Sequence, residues 1–155
     1  MVQMNAFVDV NHAGNKLTRQ SHTGIIIYLN CLPILWYSKA QSTTESSTFG
    51  SEFVAMRIMV ELLESLRYKL RMMGIPTDGP ANVFCDNKSV VTNATVPTST
   101  LKKKHNSIAY HRIREAVAAG ILQIAKVHTS ENLADLLTKS LARLQLKQLI
   151  QKILW

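Results

Sequence analysis

The sequence predicts one α/β domain built on a mixed five-stranded sheet with helices on both faces. Three observations lead there. Three β-rich runs come before any helical pattern, strand and helix signals then alternate toward the C-terminus, and no internal repeat or linker interrupts the chain.

The bulk properties agree. The chain has 155 residues, of which 46% are hydrophobic and 18% charged, a composition that buries a core without disulfides or structural metal and excludes a disordered chain. Lys and Arg number 18 against 10 acids, a formal charge of +8, which points to a polyanionic partner such as nucleic acid or an anionic membrane surface, between which charge alone does not choose. No apolar run approaches bilayer length, and Met1-Val2-Gln3-Met4-Asn5 lacks the layout of a signal peptide, so no membrane partner is expected. Cys31 and Cys85 show no metal-ligand spacing and sit in or beside apolar runs. Both are expected as buried free thiols in a reducing, intracellular compartment.

Ala6 to Asn11 reads as the first strand and ends at the turn residues Gly14 and Asn15. Thr23 to Leu29 is β-branched, and Asn30-Cys31-Leu32-Pro33 turns it into Ile34 to Ser38, a hairpin. After a Ser/Thr-rich link from Ser42 to Thr48, residues Met56, Met59, Leu63, Leu66, Leu70 and Met73 recur at spacings of three and four. That is a long helix, stopped by Gly74 and Pro76. Val83 to Asp86 reads as a short strand, with Asn87 capping a helix through Val91. Ile108 to Ala119 reads as a helix closed by Gly120, Ile121 to Val127 as a strand, and Ser130 onward as a final helix containing Leu133-Ala134-Asp135-Leu136-Leu137.

Four acids stand where apolar elements would not choose them. Asp9 interrupts the first strand, in which Ala6, Val8 and Val10 share one face and Phe7, Asp9 and Asn11 the other; a buried unpaired carboxylate there costs several kcal/mol or more, unless an Arg pairs with it. Glu52 lies on the apolar stripe of the long helix, in register with Met56, Met59, Leu63 and Leu66, although a favourable charge near the helix N-terminus also accounts for it. Asp86 ends an apolar strand, where open α/β sheets place ligands and where a turn or N-cap acid is equally at home. Asp135 sits between leucines and by itself reads as an ordinary solvent-facing helix acid. Together the four can converge into an oxygen-ligand cluster for hard divalent cations. Two such ions suit phosphodiester hydrolysis, and without metal the like charges raise one another's pKa.

The segments Phe7-Val8-Asp9-Val10-Asn11-His12-Ala13-Gly14, Phe49-Gly50-Ser51-Glu52-Phe53-Val54-Ala55, Phe84-Cys85-Asp86-Asn87-Lys88-Ser89 and Asn132 to Lys139 resemble the ribonuclease H domain of copia-type LTR retrotransposon Pol polyproteins. The likeness runs from about Ala6 to Leu141, leaving 142–155 as a C-terminal helical tail that can pack on the domain 1–141 or bind a partner, packing in cis being the expectation. It extends to the basic helix from Lys104 to Glu115, with Ser107 standing where that family normally carries an acid.

The resemblance implies a ribonuclease H-like fold and metal-ligand roles for Asp9, Glu52, Asp86 and Asp135 toward two Mg²⁺ ions, which Mn²⁺ can replace. It also implies hydrolysis of the RNA strand of an RNA–DNA hybrid to 5′-phosphate products, and a reverse transcriptase domain of the same polyprotein as partner. The setting it implies is a cytoplasmic virus-like particle or the nucleus. His128, closely ahead of Asp135, is the counterpart of the mobile-loop histidine of cellular ribonucleases H, at a shorter separation than usual. Asn11, Ser47, Thr48, Asn87, Lys88 and Lys104 are the expected substrate contacts, with further positive charge from Lys39, Lys102, Lys103, Arg112 and Arg114; such contacts read phosphates and 2′-hydroxyls rather than base edges. Two other readings compete. One is a catalytically inactive, transposon-derived nucleic-acid-binding module, against which the presence of all four acids speaks. The other is an integrase or other nuclease of the same broad fold, against which Glu52 and Asp135 speak.

Overall fold

In the computed structural model, which describes residues 2–101 and 106–153, strands β1 (Met4–Asn11), β2 (His22–Leu29) and β3 (Leu32–Ala40) form an antiparallel meander. Helix α1 (Thr48–Met72), strand β4 (Ala81–Cys85), helices α2 (Lys88–Thr95) and α3 (Ser107–Ala118), strand β5 (Leu122–Lys126) and helix α4 (Arg143–Gln151) follow. The sheet order is β3-β2-β1-β4-β5, with β4 parallel to both β1 and β5. The expected mixed five-stranded sheet is present. Lys104, with Lys102, Lys103 and His105, lies outside the described residues, as do Leu154 and Trp155.

Alternation along β1 places Met4, Ala6, Val8 and Val10 against α1, whose Phe53, Met56, Met59, Val60 and Leu63 are fully buried. Each such side chain contributes about 2 kcal/mol of apolar burial. The α1 stripe runs as its spacing predicts through Leu70; Met73 falls past the helix end and is exposed. Gly74, at φ 71°, takes the left-handed conformation that ends the helix. On the opposite sheet face Phe7, Ile26 and Tyr28 pack under Leu133, Leu136, Leu137 and the α4 residue Leu149, which is fully buried. The segment after residue 141 therefore covers the second face in cis.

Two expectations change. Cys31 is exposed in the β2–β3 turn, while Cys85 is buried as expected and its thiol is pushed up to about 12, chiefly by burial. No α-helix starts at Ser130; two 3₁₀ turns, Thr129–Glu131 and Leu133–Leu137, take its place. Asn132 is the reason. Its Nδ2 donates to the Val8 carbonyl of β1 at 3.0 Å while its Oδ1 accepts from the Ala134 amide, so the chain is pinned to the sheet and restarted there.

Basic residues assigned to substrate turn out to be partly structural. Arg112 pairs with Glu64 across α3 and α1. Arg114 donates to the carbonyls of Asn93, Val96 and Pro97 and lies 5.1 Å over the Tyr110 ring. Arg114→Ala is expected to lower urea-measured stability by about 2 kcal/mol, because three charge-assisted bonds and a cation–π contact are lost together. A change below about 0.5 kcal/mol would mean the arginine is ordinary surface.

Candidate metal centre

The parallel pairing of β1 and β4 sets the site. Val8 pairs with Cys85, so the next residues, Asp9 within β1 and Asp86 just past the end of β4, stand side by side. Asp135 enters from the 3₁₀ turn Leu133–Leu137. One carboxylate oxygen from each of Asp9, Asp86 and Asp135 lies within 4.8 Å of the others. Glu52 of α1 shares a small cavity with Asp9, Asp86 and Cys85. Chain segments far apart in sequence thus bring four carboxylates to one end of the central strands.

Asp9 and Asp135 are both nearly fully buried, at 6% and 2% exposure. Asp135 is not the ordinary solvent-facing acid that it resembles when taken alone: Asn132 anchors its turn against β1, which points the side chain inward, toward Asp9 and Asp86. Asp9 accepts a hydrogen bond from the Thr138 hydroxyl. Its cationic partner is not an arginine but Lys139, whose Nζ stands 3.0 Å from Asp9 Oδ2 and 3.0 Å from Asp135 Oδ1. Asp86 accepts from the Thr129 hydroxyl at 3.3 Å.

The electrostatics are those of crowded acids. Burial, with Asp86 and Asp9 adding to it, pushes the Glu52 carboxyl up to about 7, against a hydrogen bond from Asn87 and the charge of Lys139. The Asp135 carboxyl is raised by burial and by Asp9 despite Lys139. For Lys139, burial works against the charged form, yet the facing carboxylates hold the ammonium above its ordinary range. Glu52 Oε2 is buried and has no hydrogen-bond partner among the described residues. An orphaned carboxylate oxygen in a wall of further carboxylates fits a hard divalent cation, which takes oxygen ligands and relieves their mutual repulsion.

The other expected site residues are distributed as follows. Asn11 is half-buried and its Nδ2 donates to the Thr138 carbonyl at 3.2 Å. Ser47 caps α1 by accepting from the Gly50 amide, and Asn87 caps α2 by accepting from the Ser89 amide. Thr48 and Lys88 are exposed. His128 is exposed as well and caps its own 3₁₀ turn, its Nδ1 accepting from the Ser130 amide. Residues that sequence reasoning passed over include Asn132, Thr138 and Lys139. The one signal in the sequence was Lys139 four residues after Asp135, a spacing that brings opposite charges together on a helical turn.

Gly24 is the close approach that makes this arrangement fit. It pairs with Asp9 across β1 and β2, and a Cβ there would lie 2.6 Å from Thr138 Cγ2 and 2.8 Å from the Ala134 carbonyl oxygen. Only a glycine lets the turn that carries Asp135 sit this tightly on the sheet.

No family model matches the chain. It is 32% identical over 152 residues to the Retrovirus-related Pol polyprotein from transposon RE1 of Arabidopsis thaliana, covering 98% of the chain and 10% of that polyprotein. It is 30% identical over 140 residues to the corresponding polyprotein from transposon TNT 1-94 of Nicotiana tabacum, covering 90% of the chain and 10% of the polyprotein. The chain thus spans about a tenth of the length of these relatives.

Among solved structures, RNase H1 from Halobacterium salinarum superposes with a TM-score of 0.66 at 14% identity, over 88% of this chain and 94% of that one. LC11-RNase H1 in complex with an RNA/DNA hybrid gives 0.65 at 16% identity, over 88% and 94%. The protease-reverse transcriptase of Prototype Foamy Virus gives 0.53 at 14% identity, over 99% of this chain and 21% of that one. At these identities the structures speak to the fold.

Proposed function

The chain is related to one segment of the Pol polyproteins of copia-type retrotransposons and has the ribonuclease H fold; from that premise we propose that it is a metal-dependent endoribonuclease that hydrolyses the RNA strand of RNA–DNA hybrids. The observation that carries this reading is the convergence of Asp9, Asp86 and Asp135 within 4.8 Å, with Glu52 in the same cavity.

Asp9, Glu52, Asp86 and Asp135 would hold two Mg²⁺ ions, with Mn²⁺ able to substitute. When bound, two such cations would lower the pKa of an attacking water and neutralise charge on a leaving 3′ oxygen, chemistry that would give 5′-phosphate products. The protein's part is positioning. Thr138 holds Asp9, Thr129 holds Asp86, and Asn132 ties the Asp135 turn to β1. His128, next in sequence to Thr129, is assigned a supporting role. Thr48 and Lys88, with Asn11, Ser47, Asn87 and Lys104, are assigned to the hybrid backbone, so binding should show little sequence preference and weaken steeply with salt.

The relatives are Pol polyproteins of which this chain matches a tenth, and the foamy virus structure joins the same fold to a reverse transcriptase. Those two facts support a reverse transcriptase domain of the same polyprotein as partner. The proposed site of action is a cytoplasmic virus-like particle or the nucleus. Among the described residues no helix is long and apolar enough to cross a membrane.

The test is cleavage of a labelled RNA–DNA hybrid with Mg²⁺ or Mn²⁺, comparing the native chain with Asp86→Asn and using double-stranded DNA as control. Loss of RNA from the hybrid by the native chain alone, and only with metal, is the expected result. Equal inactivity of both chains, with hybrid binding intact, would replace the enzyme by a binding module.

A further inference from the structure

Lys139 is the least expected member of the acid cluster. Its Nζ is 3.0 Å from Asp9 Oδ2, 3.2 Å from Asp9 Oδ1 and 3.0 Å from Asp135 Oδ1. One ammonium therefore bridges two carboxylates that are each nearly buried, in the space between them where a cation shared by both would bind. Its backbone amide also donates to the Asp135 carbonyl at 3.1 Å, so the lysine is tied to the same turn as the acid it neutralises. About a third of the Lys139 side chain is exposed, against 4% and 2% for those of the two acids. The lysine accordingly has a route to solvent that the acids lack.

We infer that Lys139 is a built-in competitor for the metal: it neutralises Asp9 and Asp135 while the site holds no ion, and it must swing out before a divalent cation can be shared by them. This rests on the metal-binding reading above and adds a cost to it. A buried pair of carboxylates without any cation would be strongly destabilising, and the lysine removes that penalty from the metal-free fold. The same ammonium lowers the affinity of the Asp9–Asp135 position, because loading is an exchange of one cation for another rather than occupation of an open seat. Asp86 and Glu52 have no such lysine contact among the described hydrogen bonds and ion pairs. An ion held mainly by those two acids would enter without displacing anything. Lys139 is a positioning residue in this account, since it acts through the carboxylates.

The experiment measures Mn²⁺ binding, by electron paramagnetic resonance of the free ion, together with thermal unfolding in EDTA, for the full chain and for Lys139→Met and Lys139→Arg. Lys139→Met keeps the length and removes the charge. It should lower the metal-free melting temperature and tighten the weaker Mn²⁺ affinity by about tenfold or more. Lys139→Arg presents a two-pronged donor that grips both carboxylates harder, and should weaken Mn²⁺ binding by about threefold or more. The opposed directions keep the test open should the methionine variant fail to fold. Unchanged Mn²⁺ affinity in the variants, with wild-type binding intact, would reduce Lys139 to a structural counter-ion and leave the metal-binding reading standing. No Mn²⁺ binding by any of the three chains would overturn that reading together with the inference.

Discussion

Glu52→Gln is expected to abolish hydrolysis while making the metal-free protein more stable. The glutamate is a proposed ligand, and removing one ligand's charge from a two-cation site removes several kcal/mol of transition-state stabilisation, on the order of a thousandfold in rate or more. The stability effect has the other sign because Glu52 is buried beside Asp86 and Asp9, and its carboxyl titrates at about 7 instead of 4.5. Below about pH 4.5 the carboxyl is protonated in the folded and unfolded chains alike, and carries no penalty. Between about 4.5 and 7 the unfolded chain gives up its proton first, so stability falls as pH rises.

Above about 7 the whole penalty is present, on the order of 2 kcal/mol once partial solvent access is allowed for. Urea unfolding in EDTA should therefore show the glutamine variant more stable by that amount at pH 8 and level with wild type near pH 4.5. A difference that does not change with pH would sink the argument. The neighbouring groups that act on the Glu52 carboxyl are Asp86 after β4 and Asp9 on β1, which raise it, and Asn87 and Lys139, which lower it.

Gly24→Ala is expected to damage fold and site together. The added methyl carbon would meet Thr138 Cγ2 at 2.6 Å, the Ala134 carbonyl oxygen at 2.8 Å and Leu137 Cβ at 3.0 Å. A threonine methyl can rotate, but a backbone oxygen cannot, so the segment carrying Asp135, Thr138 and Lys139 must lift from β2. Overpacking of this kind costs about 1–3 kcal/mol. A displacement of about 1 Å at catalytic groups costs on the order of a hundredfold in rate. Urea unfolding and hybrid cleavage should both report the change. Wild-type cleavage by a destabilised Gly24→Ala chain would show that the turn does not position the acids.

Much of the architecture was legible in residue order. The β-branched runs, the three-and-four spacing from Met56 to Leu70 and the glycines at 74 and 120 are local signals, and each produced the element it predicted. Asp9 was conspicuous because a charge in an apolar strand demands a compensating partner. Glu52 was conspicuous because it falls on the buried stripe of α1.

Asp135 shows where that reading stopped. A leucine-flanked acid near an expected helix start looks solvent-facing, and only the bond from Asn132 to the Val8 carbonyl, across 124 residues, turns its segment into a 3₁₀ turn that points the acid inward. Cys31 failed in the opposite direction, since adjacency to an apolar run says nothing about whether a turn residue faces the core.

The sequence by itself determined the strands and helices from β1 to β5, though not the 3₁₀ turns that replace the helix expected from Ser130, because periodicity and capping act between near neighbours along the chain. The tertiary structure alone decided that four carboxylates meet, that Lys139 bridges two of them, and that Gly24 makes room for the turn. Those outcomes depend on the parallel register of β1 with β4 and on contacts between segments more than a hundred residues apart, which no local pattern encodes.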